Sequence, residues 1–143
     1  MNLLDKIFND NYFGIKKFER DGKIYENIGV KWFKKFLLNL AKKRRHERPF
    51  KNYFIKENSI DGLIDFEKRT RKSEMAHVII VIVILAYQVR MIIFIDGVSD
   101  IIFLLFFTVL NIIANLYPIC LQRYNRIRIN RVIQKHIRYQ SRS

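Results

Sequence analysis

Two side chains in this sequence have the types and the spacing for proton transfer. Glu74 and His77 stand three residues apart in Thr70-Arg-Lys-Ser-Glu-Met-Ala-His77, which puts them on one face if the segment is helical. A carboxylate beside an imidazole can orient the ring and raise its basicity, the pairing expected of a general base. The same two residues could ligate a metal, but a metal centre needs a third ligand that is not evident here, so no metal is expected. There is no Gly-x-Ser-x-Gly stretch, and the single Cys120 lies within an apolar run where it serves as a small packing residue. The chemistry that fits is direct transfer assisted by a base rather than a covalent intermediate. A purely structural role, with Glu74 paired to Arg71 or Arg126, stays open beside it.

Further polar groups fall where they are expensive. On a helical wheel Thr70, Glu74, His77 and Gln88 lie within about 60° of one another. Asn111, Asn115, Pro118 and Gln122 are spaced 4, 3 and 4 apart, which stacks them in one stripe of an otherwise apolar segment. Polar side chains in such a setting face protein or water, because facing lipid leaves them unsatisfied. They can equally be the glue between two helices.

The elements that must carry these residues are two apolar runs. Met75 to Ile95 and Ile101 to Leu121 are each 21 residues long, and between Met75 and Leu121 the only charged residues are Arg90, Asp96 and Asp100. At about 1.5 Å per residue each run can cross a hydrocarbon core of about 30 Å. Arg90 stands near the far end of the first run, where its guanidinium can reach the interface; the β-branched stretch Val78 to Leu85 alternatively fits a buried strand. The short turn at residues 96–100 makes the two spans an antiparallel hairpin. The start of the first then lies beside the end of the second, bringing Glu74 and His77 towards Asn115, Gln122 and the segment from Arg123 to Arg126.

Charge orients the hairpin. The 143 residues include 27 Lys and Arg against 13 Asp and Glu, a formal net charge of +14. This excess implies an anionic partner: lipid, a phosphorylated substrate or nucleic acid. Lys68, Arg69, Arg71 and Lys72 precede the first span and Arg123, Arg126, Arg128 and Arg131 follow the second. The positive-inside rule places both ends in the cytoplasm, and beside two spans lipid or phosphate contact is expected in preference to nucleic acid. Upstream, Tyr25 to Lys43 sets Tyr25, Ile28, Trp32, Phe33, Phe36, Leu37 and Leu40 at helical spacing, with Lys31, Lys34, Lys35 and Lys42 largely opposite. That pattern suits an amphipathic helix at a membrane surface, or one packed on a core. Lys42-Lys43-Arg44-Arg45 is a further basic patch, and the N-terminal MNLLDKIFNDNYF has the character of no secretory signal. The fold expected is an all-α membrane protein. A basic cytoplasmic or interfacial helical region at 1–73 precedes the hairpin at 74–122, and a basic tail at 123–143 follows it.

The motifs resemble those of one family. Thr70-Arg-Lys-Ser-Glu-Met-Ala-His77, the apolar span after it, and Ile113-Ala-Asn-Leu-Tyr-Pro-Ile-Cys-Leu-Gln-Arg-Tyr-Asn-Arg-Ile-Arg-Ile129 are similar to the glycosyl-4,4'-diaponeurosporenoate acyltransferase family. Its members have a Glu-x-x-His at the start of a span and an Ala-Asn-x-x-x-x-x-x-Gln-Arg-Tyr-Asn-Arg ending. Phe18-Glu-Arg-Asp-Gly-Lys-Ile-Tyr25 and Lys31-Trp32 look like the family's cytosolic stretch, whereas the family's additional N-terminal hydrophobic segment has no counterpart in Leu3 to Phe13. The resemblance implies an enzyme of the bacterial cell membrane that moves a fatty acyl group onto a sugar hydroxyl of a glycosylated carotenoid or related glycolipid. It gives functional weight to Glu74, His77, Asn115, Gln122, Arg123, Tyr124, Asn125 and Arg126. His77 is then the base and Glu74 its orienting partner, Arg123 and Arg126 hold the phosphates of the donor or the developing oxyanion, and the others contact substrate. The implied co-substrate is an acyl donor such as acyl-CoA or acyl carrier protein, with no other cofactor. Two helices bury little, so a homodimer is plausible. The competing expectation is a non-catalytic anchor or subunit that holds anionic lipid or a partner enzyme.

Overall fold

The computed structural model describes residues 3–43 and 59–141, and among them it contains helices and turns and no strand. The order is α1 (Leu3–Ile7), α2 (Asp10–Phe13), a 3-10 turn (Lys17–Glu19), α3 (Lys23–Asn27), α4 (Val30–Lys43), α5 (Ile60–Ile93), α6 (Val98–Asn111), a π-helical segment (Ile112–Leu116) and α7 (Tyr117–Gln140). Arg44 and Arg45 of the basic patch lie outside the described residues.

The hairpin is all-helical, and Val78 to Leu85 is helix, not strand. Ser59 starts α5 as its N-cap, its hydroxyl accepting from the Gly62 N–H at 3.0 Å, which satisfies one of the orphan donors of the first turn. From there α5 runs 34 residues without a break, a length of about 51 Å. About 20 Å of it therefore stands clear of a hydrocarbon core. The helices that follow are continuous from Val98 to Gln140, and both long rods are apolar enough to cross a membrane. Ile82, Val83, Val89, Phe103, Leu105 and Phe106 point outward and stay exposed. Such surface fits lipid, where it costs nothing, and not water.

The π-helical segment has a local cause. Pro118 has no N–H for the Ala114 carbonyl, and the Tyr117 N–H just before it bonds instead to the Ile112 carbonyl five residues back. The extra residue in that turn reorients the polar stripe without breaking the rod.

The helix expected over Tyr25 to Lys43 is two. Gly29 takes φ +82°, a left-handed conformation that glycine adopts at little cost, and α4 starts afresh after it. The apolar arc divides as a result. Tyr25, Val30 and Phe33 are buried with Leu121, Tyr124 and Ile127 in one cluster, each worth about 1.5–3 kcal/mol of burial. Trp32 and Phe36 face away and stack on each other at 6.0 Å. Tyr117 donates its hydroxyl to the Ile28 carbonyl at 2.9 Å, so the α3–α4 junction sits at the level where the second span ends.

Candidate functional site

The site is built where α5 and α7 cross with α4 packed beside them. Residues four apart on α5 share one line along its axis, and Arg69, Ser73 and His77 form such a line. They face a cavity of about 560 Å³ whose other walls include Lys34, Leu37 and Leu38 from α4 and Leu121, Gln122 and Asn125 from α7.

His77 is gripped at one ring nitrogen. Its Nδ1 lies 3.1 Å from Asn115 Oδ1, and the Asn115 amide is itself fixed because Nδ2 donates to Asn111 Oδ1 at 2.9 Å. With the amide oxygen turned to the ring, a neutral His77 carries its proton on Nδ1 and keeps the lone pair on Nε2. This is the tautomer a general base needs. Asn111, Asn115, Pro118 and Gln122 are all buried, so the polar stripe does face protein. Further along, Gln88 donates to Thr108 Oγ1 at 2.9 Å, tying the spans together where no water competes.

Glu74 takes the second of the two roles its sequence left open, paired to Arg126 and not to His77. It is fully buried, and one carboxylate oxygen accepts from Arg123 Nη1 at 2.9 Å while the other accepts a very short hydrogen bond from Arg126 Nη2. Its partners are two guanidinia, and the partner of His77 is Asn115. The reason is electrostatic: a buried carboxylate gains far more from two cations than from a neutral ring.

The same two arginines knit the N-terminal segment to the hairpin. Arg123 forks onto Glu19, Nε to Oε2 at 3.0 Å and Nη2 to Oε1 at 2.7 Å. Arg126 Nη1 donates to the Phe13 carbonyl at 3.1 Å, and Arg71 Nε reaches Glu67 at 2.7 Å. Burial pushes the Glu19 carboxyl up, but hydrogen bonds from Arg123, the Lys16 N–H and the Tyr25 hydroxyl, with the Arg123 charge, hold it at about 2. Burial and that carboxylate raise the Tyr25 hydroxyl in turn. Three buried carboxylates, Glu19, Glu67 and Glu74, thus meet three guanidinia, those of Arg71, Arg123 and Arg126.

The structure brings His77, Gln122 and Asn125 to the cavity and Asn115 directly behind the imidazole. Gln122 Nε2 donates to Ser73 Oγ at 3.2 Å, and Asn125 Oδ1 accepts from Lys34 Nζ at 2.9 Å, leaving its Nδ2 as a donor. Glu74, Arg123 and Arg126 lie in the adjacent charged cluster and do not line the cavity. Tyr124 is buried on the far side of α7, its hydroxyl donating to Glu26 at 3.0 Å. Sequence reasoning missed Lys34, Arg69 and Ser73 as cavity residues. The four-residue steps from Arg69 to His77 carried a signal for two of them, and nothing local could have linked Lys34 to Asn125.

Comparison with known proteins gives one match. The family model described as glycosyl-4,4'-diaponeurosporenoate acyltransferase matches residues 9–135, a stretch that contains the charged cluster, both spans and all of the cavity residues. No curated protein and no solved structure matches the chain.

Proposed function

The chain belongs to the glycosyl-4,4'-diaponeurosporenoate acyltransferase family and is an acyltransferase, and from that premise we propose that it esterifies a sugar hydroxyl of a glycosylated carotenoid or related glycolipid, with His77 as general base. The observation that carries the assignment is the bond between His77 Nδ1 and Asn115, which leaves Nε2 as the proton acceptor beside a cavity with apolar walls. In the step we infer, the hydroxyl proton passes to Nε2 as the sugar oxygen bonds to the acyl carbon. The carbon–leaving-group bond of the donor then breaks, and the departing thiol or alcohol takes the proton from the ring. Gln122 and Asn125 supply amide donors for the oxyanion or for neighbouring hydroxyls, while Leu37, Leu38 and Leu121 line the path of the acyl chain.

The assignment divides the labour of the polar residues. Glu74, Arg123 and Arg126 act on the architecture and His77 and Asn115 on the proton. The positive-inside pattern supports a cytoplasmic side for the cavity mouth, the charged cluster and both ends of the chain. His77→Ala in purified, folded protein should lower transfer of labelled acyl groups to the glycosylated acceptor by about 10²-fold or more. Unimpaired transfer by that variant would sink the base assignment.

A further inference from the structure

The cavity beside His77 is lined by Lys34, Arg69 and Lys72 and, among the described residues, by no carboxylate. Elsewhere in the molecule Lys31, Arg71, Arg123 and Arg126 each lie against an acidic side chain. Among the described residues Lys34 has only the neutral Asn125 oxygen at 2.9 Å, and burial, with the charge of Arg128, lowers its ammonium pKa from the ordinary value. Arg69 lies over the Phe66 ring at 5.5 Å and makes a long bond, Nε to the Asp65 carbonyl at 3.4 Å. Its Nη1 is buried without a hydrogen-bond partner among the described residues. Lys34 and Arg69 are partly buried, with the exposed Lys72 beside them and no carboxylate against them among the described residues; an anion that enters among such cations is held by charge-assisted hydrogen bonds.

We propose that Lys34, Arg69 and Lys72 bind the phosphate group of the acyl donor. Naming the anion as the donor's rests on the function proposed above: a glycosylated acceptor brings hydroxyls to the base, so the charge belongs to the other substrate. Arg69 and His77 are eight residues apart on α5, about 12 Å along the axis, with Ser73 midway between them. A donor held by its phosphate at the Arg69 end can lay its acyl carbonyl at His77 and its hydrocarbon against Leu37, Leu38 and Leu121. This assignment replaces Arg123 and Arg126, whose charge is already met by Glu19 and Glu74. The phosphate can come from a phosphopantetheine arm or from a phospholipid headgroup.

Equilibrium binding tests the proposal on the full chain in phospholipid-free detergent, with His77→Ala present so that no turnover intervenes. The probes are palmitoyl-coenzyme A and a fluorescent phosphatidylglycerol, titrated separately. We expect at least one to bind and the Lys34→Gln/Arg69→Gln double variant to weaken it by about tenfold or more, with Arg69→Lys recovering part of the loss and thermal unfolding confirming the fold. Binding of the first probe alone supports a phosphopantetheine donor, and of the second alone a lipid donor. Failure of both to bind, or unchanged affinity in the folded double variant, overturns the proposal. If the double variant does not fold, Lys72→Gln takes its place at an exposed position, and unchanged affinity there overturns it equally. Full transfer by His77→Ala would instead overturn the base assignment and leave the binding result standing.

Discussion

In the proposed mechanism Asn115 is the residue on which the chemistry turns, because its oxygen faces Nδ1 of His77. Asn115→Ala removes the acceptor from Nδ1 and frees the ring to take either tautomer, so turnover should fall by about 10-fold or more with the acceptor's KM nearly unchanged. Asn115→Asp keeps the acceptor and adds charge, which stabilises the imidazolium; the activity-versus-pH profile should move to higher pH. A profile identical to that of the native enzyme would remove the positioning role. Glu74 belongs to a different argument. Glu74→Gln leaves the buried Arg126 against a neutral amide while Arg123 keeps Glu19, a loss of about 3–5 kcal/mol by analogy with other buried pairs, which thermal unfolding in detergent will register. A Glu74→Gln protein with native stability and no turnover would return this carboxylate to the reaction. The Glu-x-x-His spacing marked both residues; of the two readings it left open for Glu74, the pair with Arg126 is the one formed, and Asn115 takes the place beside His77. Partner choice depended on Arg126 and Asn115, 52 and 38 residues away, and on how strongly a buried carboxylate prefers guanidinium.

At the scale of elements, two helices long and apolar enough to cross a membrane were legible in the sequence, although the first ends at Ile93 and leaves Phe94 and Ile95 to the turn. Burial of the stripe from Asn111 to Gln122 was legible for the same reason: polar groups at helical spacing in an apolar run have one affordable direction. The π-helical turn at residues 112–116 was not, because a proline marks where a bond is lost but not how the helix reroutes the carbonyl. The break at Gly29 was missed because a periodicity of apolar residues passes straight through it. Gly29→Ala tests the element directly. A Cβ there would meet only the Tyr117 hydroxyl, at 3.9 Å, so the cost is backbone strain of about 1–2 kcal/mol. The melting temperature should drop modestly while transfer per folded molecule persists.

For the molecule as a whole, the N-terminal helices are joined to the hairpin through charge as well as through the Tyr25–Phe33–Tyr124 core. Glu19 is the group that makes this union depend on pH. Its folded pKa of about 2 lies below the ordinary 4.5, so its contribution is fully present above pH 4.5 and is lost as pH falls towards about 2. Unfolding measured in detergent across that window should show stability declining with acidity, and Glu19→Gln should be less stable at neutral pH and flatter across the window. An equal slope in both proteins would assign the acid sensitivity to other carboxylates.

The long reach of these pairs also sets an order of assembly during synthesis. Glu19 and its partner Arg123 are 104 residues apart, and the Phe13 carbonyl and Arg126 are 113 apart. At about 5–20 residues per second, a ribosome takes roughly 5–20 s to deliver the arginines after the first carboxylate has emerged. The segment translated first is therefore completed last. Until the second span and the final helix have been made, Glu19 lacks its native counter-ion and the Phe13 carbonyl lacks its donor, whereas Glu26 already has Lys31 beside it.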